Sequence, residues 1–147
     1  MATQAPVKTY SLIAYSTPSQ PRQVRLDTTT VCPCNCISCH KQMTLRKGSM
    51  TRSDWLPILQ DIASWKQPLA EIIPVNYGDL FCLADWPILL KDIQDCLPQT
   101  SLVVPTPAIL LDVETVKVLC GYPNLRVVNM SVNAYFDDTY HSFHGVS

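Results

Sequence analysis

The sequence has no surplus of either charge. Its 11 Lys and Arg face 12 Asp and Glu, for a net charge of −1. No basic patch stands out, so the electrostatic footprint of a nucleic-acid binder is absent. Long hydrophobic runs are also missing. Stretches such as Ile109-Leu110-Leu111 fall far short of the length that spans a bilayer. The N-terminus lacks the basic start and long apolar core of a secretory signal, since Tyr10 to Tyr15 is short and polar at its edges. The expected compartment is a reducing cytoplasm, where cysteines stay free for metal chemistry.

What remains is apolar and globular in character: 47% hydrophobic and 16% charged over 147 residues, enough for one domain with a modest core. There are 12 prolines. Pro6, Pro18 and Pro21 mark residues 1–23 as an irregular lead-in, with one short strand expected from Lys8 to Ala14. Residues 24–147 then form the core domain.

Within that domain the pattern alternates. Val24 to Val31, rich in Val and Thr, reads as a strand. A helix follows, capped by Thr51 or Ser53 and ending near Trp65, with Trp55, Leu59 and Ile62 at helical spacing. Pro57 is tolerable only in a first turn, which favours Ser53 as the cap. Glu71 to Tyr77 is a second strand, although Pro74 is awkward inside it. Asp85 caps the second helix, with Pro87 in its first turn. Ser101 to Val104 is the third strand. Asp112 caps a third helix with Val116, Leu119 and Cys120 on one face. Leu125 to Val132 is the fourth strand, and Asp137 or Asp138 opens a last helix through Phe143. Repeated βα units imply parallel strands with right-handed crossovers, and continuous apolar strands such as Val127-Val128 fit a sheet covered on both faces. Four units make half of a (βα) barrel.

The chain is organised around Cys32-Pro33-Cys34-Asn35-Cys36-Ile37-Ser38-Cys39, which holds four of the seven cysteines. Cys32, Cys36 and Cys39 have the spacing C-x3-C-x2-C. Three thiolates so placed suit three irons of a four-iron cubane and leave the fourth iron open to an outside ligand. Zinc is the competing reading, on Cys36 and Cys39 with His40, though no second ligand pair follows. Disulfides fit poorly with an odd count and no secretory signal. In βα barrels function gathers where strands end. The strand ends here present the cysteines, then Tyr77-Gly78-Asp79-Leu80, then Thr106 through Asp112, then Ser131-Val132-Asn133-Ala134.

Taken together, these motifs resemble the radical SAM superfamily over roughly Arg25 to Gly145. Gly78-Asp79 is similar to the family's Gly-Gly-Glu-Pro motif after the second strand. Thr106, Leu110-Leu111 and Asp112 follow the third-strand motif, with Pro107 and Ala108 in place of Asn and Gly. Ser131 through Ala134 follows the fourth, with Asn133 where Asp is usual. The resemblance implies an α/β partial (βα) barrel of about four units, and two cofactors. A 4Fe-4S cluster would be held by Cys32, Cys36 and Cys39. S-adenosylmethionine would be bound by Gly78, Asp79, Thr106, Ser131 and Asn133. The implied reaction is reductive cleavage of S-adenosylmethionine to a 5′-deoxyadenosyl radical that takes hydrogen from a substrate, with a flavodoxin or ferredoxin as reductant. The alternative is a non-catalytic zinc or iron–sulfur module, or an inactive fragment. Cys34 is expected to be a spectator, and His40, His141 and His144 to be surface or loop residues. The family's core usually has six βα units, so the chain is expected to be a truncated core. It would then self-associate or bind a partner that completes the barrel.

Overall fold

A computed structural model describes residues 20–44 and 47–146. The strand expected from Lys8 to Ala14 lies outside them. Among the described residues the sheet has four strands in the order β1 (Gln23–Arg25), β2 (Glu71–Ile73), β3 (Ser101–Thr106), β4 (Leu125–Met130), every neighbouring pair parallel. Strand order follows chain order, so each crossover adds its strand to the same side. This is the α/β partial barrel that the alternating pattern implies.

Each strand stops for a local reason. β1 is much shorter than the expected Val24–Val31. Beyond Arg25 the chain stays extended long enough for Leu26 N to donate to Ile73 O (2.8 Å) and Thr28 N to Pro74 O (3.3 Å). It then peels away to pair Thr29 with Ser49. Met50 N donates to Thr28 O and Thr30 N to Gly48 O, and these bonds pinch shut the base of the cysteine loop. β2 ends at Ile73 rather than Tyr77, because Pro74 has no N–H for the ladder. β3 runs to Thr106, past its expected end, and tolerates Pro105 because its pairing with β2 finishes at Leu102.

Four helices alternate with the strands: α1 (Arg52–Ala63), α2 (Trp86–Cys96), α3 (Val113–Leu119) and α4 (Asp137–His144). The cap of α1 is Thr51, not Ser53. Thr51 N donates to Asp54 Oδ2 at 2.7 Å, and Asp54 N donates back to Thr51 O at 2.9 Å. That reciprocal pair outweighs the proline. Pro57 then sits beyond the first turn, and the Ser53 carbonyl it leaves without an amide partner lies on the exposed face, where water reaches it. In α2 the cap is Asp85 and Pro87 lies in the first turn, as expected.

The core is one cluster of Trp55, Leu59 and Ile62 from α1, Leu89, Leu90 and Ile93 from α2, and Ile72, Leu102 and Val104 from the sheet. The outer half is less covered than its sequence suggests. On α3 only Leu119 is buried, while Val116 and Cys120 are exposed. In β4 Val127 is 45% exposed, so Val127-Val128 is not a doubly covered segment. Among the described residues β4 pairs on one edge only, with β3. No helix of the described residues is long and apolar enough to cross a membrane.

One buried acid ties the first two helices together. Asp92 on α2 accepts from Arg52 Nε (2.9 Å) and Nη2 (2.8 Å) and from the buried Trp55 Nε1 (3.0 Å). The Arg52 hydrogen bonds hold the Asp92 carboxyl below its ordinary range. Asp92→Ala is expected to cost about 2–3 kcal/mol, mainly because the indole N–H is left buried and unpaired. With a depressed native pKa, the carboxylate's contribution is present above the ordinary carboxylate range and is lost as pH falls through the native value. Urea unfolding at several pH values checks both statements: the variant should lose stability at neutral pH and show a flatter decline in acid.

A candidate cofactor site at the carboxyl ends of the strands

Two groups of candidate residues lie where the strands end. The first is the cysteine loop. Its conformation is held from within by Lys41, whose Nζ donates to Cys34 O (2.6 Å) and Cys32 O (3.4 Å). Cys39 N donates to Cys36 O in a turn (3.1 Å), and Cys39 Sγ caps the 3-10 turn His40–Met43 by accepting from Lys41 N at 3.4 Å. The loop is held from outside by α4. Asn35 N donates to His144 O (2.7 Å) and Ile37 N to Phe143 O (3.1 Å). Gly145, at φ +59°, ends α4 so close to Asn35 that an added Cβ would lie 2.7 Å from Asn35 O.

The thiols are crowded. Cys34 is buried at 3% exposure, while Cys32, Cys36 and Cys39 are half-buried. Burial and then the charges of Cys32 and Cys36 push the Cys34 thiol up to about 12. Burial raises Cys32 too, against the pull of a Cys34 backbone bond and Lys41. Cys34 Sγ, Cys36 Sγ and His144 have ligand atoms within 4.8 Å of one another, and no other such group occurs among the described residues. Cys32 and Cys39 are outside it. His144 is therefore not a surface residue. It is 1% exposed, with Nδ1 3.2 Å from Cys36 Sγ and Nε2 3.5 Å from Asn133 Nδ2. The missed signal was helical spacing: Tyr140, Phe143 and His144 share one face of α4, and the Tyr140 and His144 rings stack at 4.3 Å. His40 and His141 are exposed, as expected.

The second group is Gly78, Asp79 and Thr106. Asp79 is fully buried. Its Oδ1 accepts from Thr106 Oγ1 (3.1 Å) and from Phe81 N (3.4 Å), and its Oδ2 has no partner among the described residues. Burial raises the Asp79 carboxyl, opposed by those two donors. Gly78 serves backbone packing. A Cβ there would lie 2.2 Å from Thr29 O and 2.8 Å from Val31 O, and Asp79 N donates to Val31 O at 2.8 Å. The glycine thus lets the second motif press against the Thr29–Val31 segment that leads into the cysteines.

Thr106 Oγ1 also accepts from Ala108 N (3.0 Å). Ala108 stands where the resembled motif has glycine, and it adopts φ +67°, a left-handed backbone that strains alanine. Ala108→Gly is accordingly expected to stabilise the chain by about 1 kcal/mol, read as a higher urea midpoint. At the end of β4, Ser131 N donates to Thr106 O (2.8 Å) while its side chain is exposed; Asn133 reaches His144 instead.

No protein-family model matches the chain, and no curated protein matches it. Solved structures do. BtrN in complex with AdoMet and 2-DOIA aligns over 81% of this chain and 49% of its own, with a TM-score of 0.71 and 11% identity. BtrN in an open conformation aligns over 80% and 54%, with a TM-score of 0.68 and 13% identity. SuiB of Streptococcus suis bound to S-adenosylmethionine aligns over 86% and 27%, with a TM-score of 0.64 and 20% identity. The chain has the fold of these structures over the aligned part. It spans about half the length of the BtrN structures and about a quarter of SuiB.

Proposed function

We propose that this chain is the cofactor-binding part of a radical SAM enzyme. Cys32, Cys36 and Cys39 would hold a 4Fe-4S cluster, and Asp79 the amino end of S-adenosylmethionine. The observation that carries the reading is Asp79. A carboxylate buried at a strand end, with one oxygen unmatched, lacks a donor such as an α-ammonium. The donor set fits as well. Soft thiolates select iron–sulfur clusters or zinc, and a cationic centre offsets the burial that raises the Cys32 and Cys34 thiols.

In this reading the cluster, when held by Cys32, Cys36 and Cys39, would supply the electron, drawn from a flavodoxin or ferredoxin, for reductive cleavage of S-adenosylmethionine and so for hydrogen abstraction from a substrate. The chain's own residues position. Thr106 fixes the Asp79 rotamer, Gly78 brings Asp79 against the segment before the cysteines, Ser131 would offer a polar group to the ribose, and Asn133 would do so on leaving His144. Lys41 and α4 hold the cysteine loop.

Anaerobic reconstitution tests the proposal. About four irons and four sulfides per chain support it; one zinc without sulfide supports a plain metal module. Asp79→Asn adds a second test. Loss of a charge-assisted bond worth about 1.5–3 kcal/mol weakens S-adenosylmethionine binding roughly 10–100-fold by equilibrium dialysis. The same variant should stabilise the cofactor-free chain. A raised native pKa means the ionised form is disfavoured by folding above that value, so the gain is largest at neutral pH and fades as pH falls through it. Unchanged affinity in the variant would remove Asp79 from the site.

A further inference from the structure

Cys34 and His144 have no role in the reading above, yet the fold builds both in. Cys34 is buried, and Lys41 clamps its carbonyl. His144 is buried and fixed on several sides: its carbonyl by Asn35 N, its ring by Tyr140, its Nε2 by Asn133 and its Nδ1 by Cys36. The geometry points to a second metal site, in which Cys34 Sγ, Cys36 Sγ and His144 Nδ1 hold one zinc-like divalent cation when the cluster is absent.

Four considerations support it. The ligand atoms already lie within 4.8 Å of one another, and Nδ1 is 3.2 Å from Cys36 Sγ. Tetrahedral zinc, with bonds of about 2.0–2.3 Å, sets its ligand atoms roughly 3.5–4 Å apart, so small side-chain adjustments suffice. Two thiolates and an imidazole are the donor class zinc prefers over harder cations. A metal-binding histidine is oriented by a partner on its other ring nitrogen; the Asn133 amide stands there, with Nδ2 3.5 Å from Nε2, and a flip of that amide turns its oxygen to accept from Nε2–H when Nδ1 gives its lone pair to the metal. The two thiol protons pass to solvent on binding, and water completes the fourth position. Cys36 belongs to both sites, so zinc and cluster exclude each other. Cys34 is then no spectator: it decides whether the free loop captures zinc.

The site stands apart from the cluster reading, and its test needs no cluster. The cluster-free chain is titrated anaerobically with Co2+, followed by Zn2+. We expect one cobalt per chain, charge-transfer intensity for two thiolates, and stoichiometric displacement by zinc. Cys34→Ala and His144→Gln should each weaken cobalt binding by more than about 100-fold, since losing a ligand exceeds the 10–100-fold effect of losing its outer partner. Cys39→Ala should bind cobalt as the parent does. Zinc loaded first should block cluster assembly in the parent but not in Cys34→Ala. Cobalt binding that survives Cys34→Ala, or that depends on Cys39 and His40, overturns the proposal, as does the absence of binding. If His144→Gln fails to fold by circular dichroism, Cys34→Ala alone decides. A parent that binds cobalt as described but never assembles a cluster leaves this site standing and removes the cluster reading.

Discussion

Alanine at Cys32, Cys36 or Cys39 is expected to abolish cluster loading, from about four irons per chain to near none. Alanine at Cys34, Cys82, Cys96 or Cys120 should leave it intact. Three thiolates are the fewest that anchor a cubane with one open iron, so the loss of any one is not graded. The structure adds a condition. Cys39 Sγ is engaged as the cap of its own turn, at Lys41 N, so cluster binding draws it out of that cap. Iron, sulfide and visible absorption after anaerobic reconstitution read the outcome directly. A Cys34→Ala protein that stays empty beside a Cys32→Ala protein that loads would reverse the assignment.

The second large effect is steric. Gly78→Ala puts a Cβ 2.2 Å from Thr29 O and 2.8 Å from Val31 O. Both obstacles are backbone, and neither can rotate away. The two segments must separate, which breaks the bond from Asp79 N to Val31 O and moves Asp79 away from the segment before the cysteines. A cost of about 3 kcal/mol or more is expected, together with loss of S-adenosylmethionine affinity. Gly121→Ala is the control, since its Cβ meets only Val118 O at 3.2 Å. A urea midpoint for Gly78→Ala no lower than that of Gly121→Ala would sink the prediction.

Local chemistry made much of this legible in the sequence. The alternation of strands and helices follows from apolar periods and caps such as Asp85 and Asp112, both of which stand where expected. β2 was read through Pro74 to Tyr77, although that proline ends it at Ile73. Strand ends were read too generously at β1 and β4, because nothing local tells an extended residue from a paired one; Leu26 and Thr28 stay extended and bond to β2 after the strand has ended. The burial of β4 was misread because apolar composition does not say whether a strand lies at an edge. The site divides in the same way. Asp79 and Thr106 were found separately from two motifs, and the structure joins them by one hydrogen bond. The burial of His144 was legible in the helical spacing of α4, but its partner, Cys36, lies 108 residues earlier, and no local pattern reports a contact at that separation.

That separation also has a consequence for timing. Ribosomes add roughly 5–20 residues per second, so about 5–20 s pass between the making of Cys36 and the making of His144. Within that interval the pinch between Thr28–Thr30 and Gly48–Met50 can close, and later α1 can pack against α2, because all of those residues are made before His144. The bonds from Asn35 N and Ile37 N cannot form, because the carbonyls of His144 and Phe143 have not yet been made. The cysteine loop is thus among the first parts of the described fold to be synthesised and among the last to be fixed. Its thiols spend the nascent period reachable by whatever metal carriers are at hand, and the first donor to arrive meets a loop whose shape is still undecided.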